Sequence, residues 1–185
     1  MKLTSHELNE LSELTMSCFN TITNMGLFLG QVQCQELKSL IQTHFPLHIQ
    51  DYNMKVEYLN KAEGPTSKLQ APPLNPVLQS YTQAPAAPAP ATAPRTNAQT
   101  LNDREIATAY LLTLKRAGRE YGNAVFEVTH PELRSFLEQA FLMGASHAYD
   151  VYQYMVKKGF YPLEAAPDVS IQTVASMYQV VPQNQ

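Results

Sequence analysis

The chain has 185 residues, enough for one well-packed domain, and its 13 basic and 16 acidic residues give a formal charge of −3. This mixed balance, without a basic stripe, argues against nucleic acid as a partner. The first residues lack the apolar core of a secretory signal, and no stretch approaches ~18 uninterrupted apolar residues, so no membrane span is expected. The two cysteines, Cys18 and Cys34, are too few for a disulfide framework, which favours synthesis in a reducing cytosol.

Residues 1–62 predict a first αα-hairpin. Thr4 and Glu7 have the spacing of a capping box, in which each side chain bonds the other residue's backbone N–H. The 3–4 spacing of the positions that follow predicts a long helix rather than a strand. These positions are Leu8, Leu11, Thr15, Cys18, Ile22, Met25 and Leu29.

After a turn near Gly30–Gln35, a second helix is predicted from Glu36 to about Asn60. Its apolar side would carry Leu37, Leu40, Ile41, Leu47, Met54 and Tyr58. Pro46 should kink or locally break this helix, because proline removes one backbone donor.

Residues 63–100 predict a linker. Eight of the 13 prolines lie between Gly64 and Thr100, and Ala84–Pro90 consists of alanine and proline alone. Such a composition cannot bury enough apolar surface to offset the entropy of ordering, so we expect a stiff, extended, polyproline-like connection. The leucines within Leu69–Leu78 favour contact between that part of the linker and the surface of a helical bundle.

Residues 101–162 predict a second αα-hairpin. Asn102 and Glu105 form another capping box, and the inner face of the third helix would hold Ala107, Tyr110, Leu114, Ala117, Tyr121, Ala124 and Val128. Thr129 is expected to cap the fourth helix, with Pro131 in its first turn and Glu132 completing a third box. The buried side of that helix would hold Leu133, Phe136, Ala140, Met143, His147, Asp150 and Tyr154.

The fourth helix should end at Lys157-Lys158-Gly159, because cations suit the carbonyl end of a helix and glycine adopts the left-handed conformation. Residues 163–185 predict a C-terminal tail with a short helix at Ser170–Tyr178.

The two hairpins resemble each other at an offset of 96 residues. The offset aligns Glu36-Leu37-Lys38-Ser39 with Glu132-Leu133-Arg134-Ser135, and Tyr58 with Tyr154. One hairpin of ~60 residues cannot bury a sufficient core alone. The fold class predicted is therefore all-α: a ferritin-like four-helix bundle made of two αα-hairpins joined by a long Pro-rich crossover. Pairing of the hairpins between two chains is the alternative.

Several short blocks of the second hairpin carry a family resemblance. They are Asn102-Asp103-Arg104-Glu105-Ile106-Ala107-Thr108, Tyr121, Phe126-Glu127, Thr129-His130-Pro131-Glu132-Leu133-Arg134, His147-Ala148-Tyr149, Tyr154-Met155 and Lys158-Gly159-Phe160-Tyr161. Over residues 101–161 they resemble the Coat F domain, the family of spore coat protein F and its relatives in endospore-forming bacteria.

The resemblance implies a ferritin-like helical fold and a structural role in the spore coat, with no defined catalytic residues. It also implies synthesis in the mother-cell cytoplasm and other spore coat proteins as partners. A homo-oligomer remains an open alternative.

A ferritin-like fold raises the question of a di-iron centre, which needs inward-facing glutamates and two Glu-x-x-His motifs. The chain has one such motif, Glu127 to His130, beside a predicted turn. The matching positions before His48 and His147 lack the carboxylate, and only Glu120 remains as a mid-helix candidate. We therefore predict no catalytic, cofactor-binding or metal-binding residues.

A polar cluster is nevertheless expected from His44, His48 and Asp51 on the second helix with His147 and Asp150 on the fourth. Three interpretations stay open: hydrogen bonding within the core, a divalent ion such as zinc, or exposure to solvent.

Two further functions compete with a non-enzymatic coat component. One is a ferritin-like metal-binding oxidoreductase acting on peroxide or oxygen. The other is an adaptor that presents the Pro-rich segment as a ligand.

Overall fold

The protein is described by a computed structural model that covers residues 2–61, 63–76 and 87–182. These residues form five helices and no strand, which confirms the all-α prediction. The helices are α1 (Ser5–Gln31), α2 (Gln35–Asn60), α3 (Asp103–Glu127), α4 (Pro131–Lys157) and α5 (Asp168–Ala175). None of these helices has the length and hydropathy that crossing a bilayer requires.

Both predicted capping boxes at the hairpin starts are present. The Glu7 backbone N–H donates to Thr4 Oγ1 at 3.2 Å, and the Thr4 N–H donates to the Glu7 carboxylate at 2.8 Å. Asn102 and Glu105 exchange the same two bonds, at 3.0 and 2.8 Å. These bonds satisfy amide groups that have no partner inside the helix, and so they set where α1 and α3 begin.

The start of α4 and the course of α2 differ from prediction. His130, not Thr129, caps α4: its Nδ1 accepts a 3.4 Å bond from the Leu133 N–H, and Glu132 forms no capping box. Thr129 instead contacts Glu7. Helix α2 continues through Pro46, so the predicted break does not occur; a single proline removes only its own N–H.

The four long helices pack as a bundle in which every neighbouring pair is antiparallel. Helices α1 and α2 form one hairpin and α3 and α4 the other; α1 lies beside α3, and α2 beside α4. The end of α4 lies against the start of α2, where Lys157 Nζ contacts the Glu36 carboxylate at 2.8 Å. The 96-residue offset also relates the hairpin turns, since α1 and α3 end at Gln31 and Glu127, and α2 and α4 begin at Gln35 and Pro131.

Some predicted core positions are displaced. On α1, Leu8 is 48 % exposed and Ile22 and Leu29 are only partly buried, whereas Leu14, Thr21 and Phe28 are buried. On α2, Leu40 and Leu47 are half-buried. The buried side of α2 carries the predicted Leu37, Ile41, Met54 and Tyr58. It also carries polar residues, which the next subsection describes.

The predicted linker contacts the bundle in both of its described parts, residues 63–76 and residues 87–100. Leu69 is buried, and the Ala71 N–H donates to Gln139 Oε1 at 3.1 Å. Leu74 is 63 % exposed, and Val77 and Leu78 lie outside the described residues, as does the first part of the Ala84–Pro90 run.

Helix α4 ends where the sequence predicted. Gly159 has φ +70°, its N–H donates to the Val156 carbonyl at 3.0 Å, and the Phe160 N–H donates to the Met155 carbonyl at 2.8 Å. These two bonds make a Schellman motif. The short helix α5 begins two residues before the predicted Ser170–Tyr178 segment and ends three residues before its end, with every side chain exposed.

Candidate functional site

Helix α2 places four polar side chains on its buried side: His44, His48, Asp51 and Lys55. Their 3–4 spacing aligns them along one face of the helix, towards the centre of the bundle. They form two groups with residues of the other helices. We call Cys18, Asp51, Lys55 and Tyr121 the lysine cluster, and His44, His48, Tyr110, His147 and Asp150 the histidine cluster.

The lysine cluster is a buried ion pair with two further hydrogen-bonding partners. Lys55 Nζ contacts the Asp51 carboxylate directly and donates to the Tyr121 hydroxyl at 2.6 Å. That hydroxyl donates to Asp51 Oδ2 at 2.5 Å, and Cys18 Sγ donates to the same oxygen at 3.0 Å. The side chains of Lys55 and Asp51 are 0 % and 1 % exposed, so the cost of desolvating both charges must be offset by this bonding.

The lysine cluster holds its thiol and its phenol in their protonated, unreactive forms. Burial alone would raise the pKa of Asp51, but Lys55 and the Cys18 and Tyr121 hydrogen bonds bring it below its usual value. Burial raises the pKa of Cys18 to about 11 and that of Tyr121 well above its ordinary value. The Cys18 thiol therefore stays protonated at neutral pH and is no activated nucleophile.

The histidine cluster is a chain of contacts across three helices. The Tyr110 hydroxyl lies 3.0 Å from His44 Nδ1 and 3.3 Å from His48 Nε2. His147 Nδ1 lies 3.2 Å from His48 Nε2, and the His147 ring stacks on His44 with centroids 3.7 Å apart. At the edge of the cluster, His44 Nε2 is 3.1 Å from the half-buried carboxylate of Asp150.

Burial sets the charge of the histidine cluster. It lowers the pKa of His44 and of His48 to about 4 and that of His147 to about 2. All three imidazoles are therefore neutral at physiological pH, and they hold α2, α3 and α4 in register through hydrogen bonds and stacking.

The structure brings together four of the five predicted cluster residues. His44, His48, His147 and Asp150 meet, whereas Asp51 joins the lysine cluster instead. Both ring nitrogens of His44, Nε2 of His48 and Nδ1 of His147 are directed at Tyr110, at Asp150 or at one another. Within the described ranges, no group of three or more His, Cys, Asp or Glu side chains is arranged to hold a metal ion.

The donors that di-iron chemistry would need lie elsewhere. Glu127 is exposed and pairs with His6 at 3.1 Å, while His130 caps α4. Glu120 lies at the partly exposed boundary of α1 and α3, where it pairs with Arg116 and accepts a 2.7 Å bond from Ser17. The side chains present do not fit a di-iron centre, because none of these glutamates is directed at the histidine cluster.

Sequence reasoning missed four members of the polar core, which are Cys18, Lys55, Tyr110 and Tyr121. Lys55 continues the spacing of His44, His48 and Asp51, so a lysine one turn after a buried aspartate was an available signal for an ion pair. Tyr110 and Tyr121 were assigned to the inner face of α3, but sequence alone did not identify the partners of their hydroxyls.

The architecture and its polar core define a class: an all-helical protein of four long antiparallel helices whose central polar side chains hydrogen-bond one another. Residues 102–164 match the family model of the Coat F domain, and the resemblance inferred from the sequence is thereby confirmed. No curated protein matches the chain.

The fold also matches a solved structure, that of a putative spore coat protein from Bacillus halodurans. The TM-score is 0.64 at 13 % sequence identity, and the match covers 90 % of this chain and 98 % of the other. At that identity the likeness establishes a shared helical fold over nearly the whole of both chains.

Proposed function

We propose that the protein is a structural component of the bacterial endospore coat, that it assembles through surfaces of its helical bundle, and that it has no catalytic activity. The observation that carries the proposal is the Coat F domain match over residues 102–164. The shared helical fold with the Bacillus halodurans protein supports it, since that protein is described as a putative spore coat protein.

The polar core supports a structural role. The buried, neutral imidazoles of the histidine cluster and the hydrogen-bonded lysine cluster fix how the helices pack, and they present no activated thiol or hydroxyl. Such networks favour one arrangement of helices over others, because any shift leaves a buried polar group without its partner.

We further propose a ferritin-like arrangement, with the Pro-rich segment crossing from the end of α2 to the start of α3. The antiparallel neighbours and the parallel course of α2 and α3 support it. The described linker ends support it too, because residues before the gap bond to α4 and the Ala89 N–H donates to the Gly159 carbonyl at 3.0 Å.

A fluorescent fusion in sporulating cells tests the proposed location. We expect signal first in the mother-cell cytoplasm and then at the forespore surface, with the protein recovered from the coat fraction of purified spores. A fusion that stays diffuse through sporulation, or a protein missing from purified spores, would overturn the proposal.

The alternative function, a metal-binding oxidoreductase, has no comparable support, because the di-iron donor set is missing from the described residues.

A further inference from the structure

The C-terminal segment beyond the bundle is an uncovered apolar surface. Every residue from 168 to 182 is exposed, although the segment contains seven large apolar side chains. In α5, Ile171 and Val174 lie one turn apart on one face, and Tyr178 follows at position i+7, three residues after the last residue of the helix. Anchors at positions i, i+3 and i+7 are the pattern of a short helix that binds in an apolar groove.

A second uncovered apolar surface lies on the bundle itself, between α3 and α4. This α3–α4 groove has a volume of about 620 Å³ and is lined by Gly118, Gly122 and Phe126 of α3 and by Phe141, Gly144 and Ala145 of α4. The small residues leave it open: a Cβ built at Gly118 or Gly144 would meet no atom within 4 Å. Phe126, at one end, is 81 % exposed.

The two surfaces are also complementary in charge. Lys115 and Arg119 line the groove, and no carboxylate lines it. The C-terminal segment carries Glu164 and Asp168 and no lysine or arginine. Opposite charges beside complementary apolar surfaces favour encounter in one orientation and fix the register of binding.

We propose that the C-terminal segment of one copy of this chain binds in the α3–α4 groove of a second copy. In a single chain the segment leaves the bundle and both surfaces stay uncovered, and exchange between copies covers both at once. The contact joins two different surfaces, so it builds a ring where the rotation closes and an open array where it does not. The inference deepens the proposed coat function, on which its biological setting rests, by naming a partner for assembly.

A segment of this length is expected to bury on the order of 1,000 Å² in total, the lower limit for a specific interface. The association should therefore be weak in solution and should depend strongly on concentration. Repetition in an array adds strength, because each further contact forms at a high effective concentration.

Sedimentation velocity of the purified full-length chain over a wide range of concentration tests the proposal. We expect the weight-average mass to rise with concentration. Gly118→Leu should fill the groove and Ile171→Glu with Val174→Glu should remove the anchors, each weakening association at least tenfold. Circular dichroism should show unchanged helical content, because the groove position is open and the segment lies outside the bundle.

Two matched controls isolate the contact. Gly26→Leu adds the same side chain on α1, where a Cβ also meets no atom within 4 Å. Gln172→Glu with Ser176→Glu adds the same charge to the exposed side of the segment that faces away from Ile171 and Val174. Both controls should associate like the wild type. Association that survives in the groove and anchor variants overturns the proposal.

A mixing experiment decides between a second copy and the chain's own tail. The Gly118→Leu chain keeps an intact segment, and the Ile171→Glu/Val174→Glu chain keeps an intact groove. Each variant alone should self-associate at least tenfold more weakly than the wild type, but a labelled mixture of the two should form a heterodimer through one intact contact. A wild-type chain that stays monomeric at every concentration overturns the proposal. That result would mean that the groove binds the chain's own C-terminal segment or a different protein.

The result is separable from the proposed function because it uses purified protein without spores. A monomer that still reaches the coat overturns the self-association alone. A self-associating chain that is absent from spores overturns the coat function alone.

Discussion

Glu7 and Asp103 make the same contact at opposite ends of the bundle. Each is in the first turn of the first helix of its hairpin, and each carboxylate accepts hydrogen bonds from two backbone N–H groups before the second helix of the other hairpin. Glu7 accepts from Thr129 and His130 at 2.9 and 2.8 Å. Asp103 accepts from Gln33 and Cys34 at 2.8 and 3.0 Å. The 96-residue offset relates Glu7 to Asp103, and it relates Gln33 and Cys34 to Thr129 and His130. Each hairpin therefore binds the turn of the other hairpin through an equivalent carboxylate, and we call this pair of contacts the clamp.

We expect Glu7→Ala to lower the free energy of unfolding by about 2 kcal/mol, because it leaves three backbone N–H donors and the Thr129 hydroxyl without their charged acceptor. Asp103→Ala should cost less, since Asp103 is only partly buried. Urea denaturation measures both changes. Glu13→Ala, an exposed glutamate of the same helix, is the control and should be nearly neutral; a Glu7 variant as stable as this control would contradict the clamp.

The lysine cluster predicts a strongly non-additive pair of substitutions. Lys55→Met alone should destabilise the fold by about 3–5 kcal/mol, because it leaves the Asp51 charge buried without its partner. The double change Asp51→Leu with Lys55→Met should cost less than Lys55→Met alone, since no charge then remains. Thermal and urea unfolding of the single and double variants measure the coupling. Additive losses would show that Asp51 and Lys55 act independently.

The histidine cluster predicts a loss of stability in mild acid. The pKa values of His44 and His48 lie near 4 in the folded protein against an ordinary value of 6.5, so the unfolded state binds more protons between these limits. Stability should therefore fall as the pH falls from about 6.5 to 4, by up to about 1.4 kcal/mol per pH unit for each histidine. Burial raises the pKa of Asp150, so this carboxyl binds a proton more readily in the folded state than in the unfolded state. Its protonation therefore offsets part of this loss. Asp51, next to the cluster, has a pKa below its ordinary value because of Lys55 and its hydrogen bonds, so it stays ionised in this window.

Equilibrium unfolding at a series of pH values checks this prediction. His48→Gln should flatten the slope between pH 6.5 and 4, whereas His6→Gln, on the exposed start of α1, should leave it unchanged. A separate loss is expected as the pH falls from about 4.5 to 2, because Glu7 then binds a proton in the unfolded state while it stays ionised in the folded state. Its hydrogen bonds from Thr4, His130 and Thr129 outweigh the effect of burial and lower its pKa to about 2. A slope of zero above pH 4.5 would contradict the neutral histidine cluster.

Gly159 should not tolerate a side chain. Its φ of +70° disfavours other residues, and a Cβ there would lie 2.3 Å from the Ala87 carbonyl oxygen, where the linker meets the end of α4. We expect Gly159→Ala to cost at least about 1 kcal/mol of stability. Gly118→Ala is the matched control: it lies in open space inside α3 and should stabilise the helix by up to about 1 kcal/mol. Calorimetric melting temperatures should move in opposite directions.

Metal analysis tests the open interpretation of the histidine cluster. Protein purified without a histidine tag should contain far less than one equivalent of zinc, iron or manganese, because the imidazoles bond Tyr110 and one another. A stoichiometric ion that His147→Ala removes and His6→Ala retains would reverse this conclusion.

Local signals in the sequence predicted most of the helical framework. The Thr4–Glu7 and Asn102–Glu105 boxes located the starts of α1 and α3, and Gly159 located the end of α4, because capping depends on residues only a few positions apart. The predicted cap of α4 was wrong because a contact between distant parts of the chain took over the capping residue. Thr129 has the right chemistry for a cap, but both its N–H and its hydroxyl donate to Glu7, which is 122 positions away along the chain.

By itself, the sequence determined the helices, their grouping into two related hairpins and the Coat F resemblance, since periodicity, caps and short motifs are local properties. Only the tertiary structure decided how the polar residues of α2 divide between partners. His44 and His48 lie close to His147 and Tyr110, while Asp51 and Lys55 lie close to Cys18 and Tyr121, because helix rotation and crossing select which side chains meet across a bundle. That selection turned a candidate metal site into two separate networks that stabilise the packing of the helices.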